Sequence, residues 1–167
     1  MTARRGGATQ DAARQVIGLL TERGQSIAVA ESLTGGLLAA ALTGIPGASA
    51  AFRGGVVSYA ADLKATVLGV PAAVLDRHGA VHPDVAAAMA AGVRGRLGAT
   101  VGAATTGVAG PDPADGQPVG TVYIAVSSPR GTEVRPLALH GTRDDIRRET
   151  VAQCLLLVVA WLREESA

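Results

Sequence analysis

The sequence predicts an α/β protein, a three-layer α/β/α sandwich around a mixed, mainly parallel sheet. Three observations lead there. Short runs of small apolar residues alternate with helical patterns over most of the chain, as in strand–helix–strand units. Two strand-like runs near the end flank Pro129-Arg130-Gly131, which adds an antiparallel hairpin to that sheet. The 167 residues are 48% hydrophobic but only 2% aromatic, so Ala, Val, Leu and Gly fill the core, which suits helices packed tightly on a sheet.

Taken in order, residues 1–9 are polar and Gly-rich and read as a flexible tail. Over 12–22, Val16, Ile17, Leu19 and Leu20 give an amphipathic helix that ends at Gly24. Residues 27–30 (IAVA) read as a short buried strand. Glu31 and Ser32 stand where it ends, followed by Thr34-Gly35-Gly36 and the apolar run 37–42 of a helix. Gly44-Ile45-Pro46-Gly47 breaks that helix. The second strand covers 52–60, and its glycine pair marks a bulge or a close backbone contact. Short helices over 61–68 and from Pro71 to His78 follow, closed by Gly69 and Gly79.

His82-Pro83-Asp84 opens an Ala-rich helix to about residue 97, with Pro83 in its first turn. A third strand at 99–106 leads into Gly107-Val108-Ala109-Gly110-Pro111 and a turn-rich loop over 112–118. The hairpin pairs 121–127 with 133–139. A helix over 144–165, with Val151, Leu155, Val158 and Leu162 on one face, closes the chain. Without an internal repeat, residues 10–167 read as a single domain.

The charge balance narrows the function. Fifteen basic and 14 acidic residues leave a formal charge of +1, which argues against a nucleic-acid groove or a polybasic membrane face. So few aromatic residues also disfavour base stacking. The run 155–162 is too short to span a bilayer, and residues 6–14 contain no apolar signal core. The one cysteine, Cys154, suits a reducing compartment, so the expectation is a soluble cytoplasmic protein. No P-loop motif occurs; His78 and His82 are four residues apart but do not share a helix, since Gly79 ends one and His82 opens the next, and none of the three histidines, His140 included, has a cysteine partner. Neither a metal nor a cofactor is expected.

Three strand ends combine polar residues with glycine or a helix start: 32–36, 58–64 and 105–111. Parallel neighbouring strands would gather all three at one edge of the sheet, where ligands bind in α/β folds. Ser32 is there either a nucleophile or a helix cap. Lys64, about one turn into its helix, can be tuned by desolvation into a general base, with Tyr59 handling a proton at the same mouth. Backbone N–H groups from Thr34 to Gly36 would supply an oxyanion site. Each residue also has a plain reading, Lys64 as a solvated helix lysine and Tyr59 as a rim residue. Arg143, Arg147 and Arg148 are candidates for a phosphate or for a solvated helix start.

The segments AESLTGG (30–36), PGASAAFRGGVVSYAADLK (46–64), HGAV (78–81), TTGVAGP (105–111), PVGTVY (118–123) and RDDIRRET (143–150) occur in that order. Together they resemble the C-terminal domain family of the competence/damage-inducible protein CinA, whose stand-alone members include nicotinamide-nucleotide amidohydrolases. The resemblance implies metal-free deamidation of nicotinamide mononucleotide to nicotinic acid mononucleotide by serine–lysine machinery. By motif it makes Ser32, Tyr59 and Lys64 catalytic. It places Thr34, Gly35, Gly36, Ser49, Thr106 and Gly107 at the substrate, and puts an arginine, Arg147, on the nucleotide phosphate. It also implies a homo-oligomer with no nucleic-acid or membrane partner. Leu33, Ala60 and Ala61 depart from the cysteine, serine and asparagine frequent in the family, and His82 stands where serine is frequent. The competing expectation is a catalytically silent domain that binds a nucleotide or a partner.

Overall fold

The structure is a computed structural model that describes residues 2–164, with side chains from Gly7 onward. Its strands are β1 (Ile27–Glu31), β2 (Phe52–Val57), β3 (Val101–Gly107), β4 (Thr121–Ser128) and β5 (Gly131–Ala138). They form one sheet in the order β2-β1-β3-β4-β5. β1 runs parallel to both β2 and β3, whereas β4 pairs antiparallel with β3 and with β5. The sheet is thus mixed, with a parallel half carrying the three strand ends singled out above.

Among the described residues the helices are α1 (Thr2–Glu22), α2 (Leu37–Thr43), α3 (Ala61–Thr66), α4 (Ala72–His78), α5 (Pro83–Arg96) and α6 (Arg143–Glu164). A 3₁₀ turn at Ala48–Ala50 precedes β2. α1 begins well ahead of Ala12, so the tail expected over 1–9 is helical from Thr2. An established helix gains a hydrogen bond for each residue it adds. Met1 of that tail and Glu165 of the expected last helix lie outside the described residues.

Alternation along the strands separates two cores. Ile27, Val29, Val101, Ala103, Val122, Ile124 and Val126 point to α1, α2 and α6, where Leu20, Leu38, Leu42, Leu155 and Leu162 meet them. Ala28, Ala30, Ala104 and Ala125 face α5 through Val85, Ala86, Met89 and Val93. The α5 side is the thinner one. A Cβ on Gly102 would lie 2.0 Å from Ala90 O, and one on Gly92 would lie 2.0 Å from Leu68 O. Glycine there lets helix, strand and connection touch backbone to backbone.

Candidate functional site

The carboxyl ends of β1, β2 and β3 meet at a cleft of about 290 Å³ that includes Ser32, Tyr59, Lys64, Thr106, Gly107 and Arg143. This is near the lower limit for small-ligand sites. The corner after β1 is held from several directions. Ser32 N donates to Thr105 O at 3.1 Å, and the hydroxyls of Thr34 and Thr105 are 2.8 Å apart. Gly35 has φ +56, and a Cβ there would come within 3.3 Å of Arg147 Nη2, so the turn depends on glycine.

Glu31 decides what the corner offers. Its fully buried carboxylate accepts from Gly36 N and Leu38 N, both at 3.0 Å, and from Ala39 N at 2.8 Å. The first turn of α2 is therefore capped by the chain itself. Gly35 N donates to Ser32 O, and Leu37 N donates to Thr34 O. This corrects the expected oxyanion site at Thr34 to Gly36, since the glycine amides are already used. A buried carboxylate needs such donors, and a helix start needs an acceptor. Among the described residues, the amides of Leu33 and Thr34 have no acceptor in the chain.

Nor is Ser32 the cap, a position taken by Gly36. Lys64 Nζ instead lies 3.0 Å from Ser32 Oγ and donates to Ser58 O at 2.7 Å. Lys64 is only 1% exposed. Burial lowers its pKa from 10.5 to about 8, opposed by the negative charge of Asp115. A neutral amine keeps two hydrogens and one lone pair. It can hold Ser58 O and still receive the proton of Ser32.

Tyr59 shares the cleft lining with Ser32 and Lys64 and stands at its rim. It is 59% exposed, and its hydroxyl receives Arg143 Nη2 at 2.9 Å. Arg143 also donates from Nη1 to Gly110 O at 2.6 Å. A capping box sets this arginine in the first turn of α6. Thr142 N and Oγ1 donate to Asp145 Oδ2 at 2.9 and 2.7 Å, and Asp145 N returns a bond to Thr142 Oγ1 at 3.2 Å.

Thr106 is buried, donates to Ala80 O at 2.6 Å, and lines the cleft with Gly107. Gly35 and Gly36 continue the corner past the cleft-lining Ser32 and Leu33, and the side chain of Thr34 is buried. Arg147 is outside the cleft lining, donating from Nε to Leu33 O at 2.9 Å and from Nη2 to Thr34 O at 3.1 Å. It braces the corner; the arginine that reaches the cleft is Arg143. Arg148 sits on exposed helix surface, bonded to Asp144 at 2.6 Å.

Ser49 is exposed on the 3₁₀ turn before β2, at the opposite edge of the sheet. The length of β2 separates it from Tyr59, about 20 Å at roughly 3.3 Å per residue. Within one chain it does not meet Ser32.

Asp112 and Asp115, from the loop read only as turns, also border the cleft. Asp115 has φ +52 and accepts from Ala80 N at 2.9 Å. Aspartate tolerates that conformation better than most residues. Its only sequence signal is Asp115-Gly116, which predicts a turn and no contact with 79–81. A second, more apolar cavity of about 350 Å³ between α1, α2 and α6 has no nucleophile–base pair.

A three-layer α/β/α domain with a serine–lysine contact at the parallel strand ends defines the class of this protein. The CinA C-terminal domain profile matches residues 9–162, and the chain belongs to that family. It is 56% identical over 153 residues to a CinA-like protein of Frankia casuarinae, covering 92% of this chain and 35% of that one. It is 50% identical over 150 residues to a putative competence-damage inducible protein of Desulforamulus reducens, covering 89% of this chain and 36% of the relative. The chain thus spans about a third of the length of these curated relatives.

Solved structures agree in fold. The competence/damage inducible protein CihA from Agrobacterium tumefaciens has a TM-score of 0.89 at 36% identity, covering 93% of this chain and 96% of that one. A competence or damage-inducible protein from Enterobacter asburiae has a TM-score of 0.89 at 30% identity, covering 92% and 98%. No helix of the described residues is long and apolar enough to cross a membrane.

Proposed function

We propose that this chain hydrolyses the carboxamide of nicotinamide mononucleotide to the carboxylate, releasing ammonia. The observation that carries the chemistry is the 3.0 Å contact between Ser32 Oγ and a buried Lys64 amine whose pKa is lowered to about 8. The choice of substrate rests on the CinA resemblance. Neutral Lys64 takes the hydroxyl proton as Ser32 Oγ bonds to the amide carbon. The oxyanion is met by the amides of Leu33 and Thr34, which have no acceptor among the described residues.

As the C–N bond breaks, Lys64 returns the proton to nitrogen, and ammonia leaves. Water, deprotonated by Lys64, then attacks the Ser32 ester, freeing the carboxylic acid and restoring the serine. Arg143, bonded to Tyr59 at the rim, holds the phosphate in place of Arg147.

Ammonia release from nicotinamide mononucleotide, compared between parent and Ser32→Ala, tests this reading. Release by the parent and at least a hundredfold less from Ser32→Ala is the expected result. No release from a folded parent that still binds the nucleotide would replace the enzyme with a silent nucleotide-binding domain.

A further inference from the structure

The chain reverses at the end of α4, and this reversal brings together side chains that the catalytic reading leaves unused. His78 ends α4, Gly79 turns at φ +73, and His82 caps α5. The two imidazoles lie face to face, with centroids 3.7 Å apart and planes 8° from parallel. Asp84 closes the group: its Oδ2 is 4.0 Å from His78 Nε2 and 3.6 Å from His82 Nδ1. One donor atom from each of the three residues lies within 4.8 Å of the others. All three reach solvent, with side chains 27%, 26% and 66% exposed.

We propose that His78, His82 and Asp84 form a binding site for a divalent transition-metal ion of the zinc class. Two imidazoles and one carboxylate are a donor set such ions accept, with water filling the open position. Around tetrahedral zinc, with bonds near 2.0–2.1 Å, donor atoms stand about 3.4 Å apart. The Asp84 contacts, at 4.0 and 3.6 Å, must therefore shorten by about 0.6 and 0.2 Å, and the imidazole nitrogens must close by up to about 1.4 Å.

Ligation requires the rings to turn out of their stack, which their exposure permits. It also requires Asp84 N to exchange its 3.2 Å bond to His82 Nδ1 for water or the ion's hydration shell. The site is separate from the serine–lysine pair but touches its surroundings. The strap between the two histidines includes Ala80, whose carbonyl receives Thr106 Oγ1 at 2.6 Å and whose amide donates to Asp115. An ion here ties both ends of that strap together.

The test is titration of the tag-free chain with zinc chloride by calorimetry, and with cobalt chloride by visible absorption. The expected result is one ion per chain, saturating below about 100 µM, with cobalt bands stronger than those of the aquo ion. Zinc at ten times its Kd should raise Tm by about 4 °C. His82→Ser removes a ligand while keeping a helix-capping side chain, and His78→Gln leaves the cap untouched. Each should weaken binding at least tenfold, whereas His140→Gln should leave it unchanged. Absence of saturable uptake by the parent overturns the proposal. So does equal affinity in a folded His78→Gln, His82→Ser double variant.

Discussion

Replacing Lys64 by Met removes the amine while keeping a long side chain, so it separates the cost of burying a charge from the packing around it. Folded Lys64 titrates at about 8, against 10.5 for the ordinary group. The unfolded chain therefore binds the extra proton throughout that interval, and parent stability rises with pH across it. Below pH 8 the folded parent carries the whole penalty; above 10.5 it carries none. At about 1.4 kcal/mol per pH unit, the ceiling is about 3 kcal/mol. Loss of the 2.7 Å bond to Ser58 O costs the variant about 1 kcal/mol. Lys64→Met should then be more stable than the parent by about 2 kcal/mol at pH 6 and less stable by about 1 kcal/mol above pH 10.5. Urea denaturation of both proteins from pH 6 to about 11, followed by far-UV circular dichroism, measures the difference. An equal difference across that range refutes a buried amine with a lowered pKa. The same variant should lose turnover by about 10²–10⁴-fold with its fold intact.

Four other substitutions test the site and the packing behind it. Arg143→Met should raise KM for the phosphorylated substrate at least tenfold with little change in kcat, while Arg147→Met should chiefly lower stability. Steady-state kinetics and thermal melts distinguish the two, and equal KM effects would contradict the assignment of the cleft arginine. Glu31→Gln exchanges an acceptor of three backbone bonds for a weaker one that also carries an NH₂ group, so about 2–4 kcal/mol of stability should be lost in urea denaturation. Gly102→Ala drives a Cβ to 2.0 Å from Ala90 O and should cost about 3 kcal/mol or more; a near-neutral result would contradict the close approach of α5 to β3.

Local pattern carried the strand–corner–helix unit at 27–43, the Ala-rich α5 and the closing hairpin. Each depends on periodicity, a proline or a glycine near its own residues. The parallel pairing of β1 with β2 and β3 explains why Ser32, Tyr59, Lys64 and Thr106 reach one cleft although widely separated along the chain. Other features depend on longer-range geometry. Glu31 precedes the helix it caps and looks locally like the last residue of a strand.

Arg143 and Arg147 differ by about one helical turn, so spacing alone does not tell which one faces the cleft. In the structure Arg143 lines the cleft, whereas Arg147 is held by Leu33 O and Thr34 O. Ser49 lies close to Tyr59 in sequence, but a whole strand comes between them. Asp115 and the pair His78–His82 meet their neighbours through reversals at Gly79 and around Gly116, which periodicity does not describe.

Mass spectrometry of protein quenched during turnover of nicotinamide mononucleotide tests the central claim most directly. The account predicts an acyl adduct on the peptide containing Ser32, absent from Ser32→Ala and slow to form in Lys64→Met. Ammonia released by Ser32→Ala at the parent's rate, with no adduct in either protein, would contradict it.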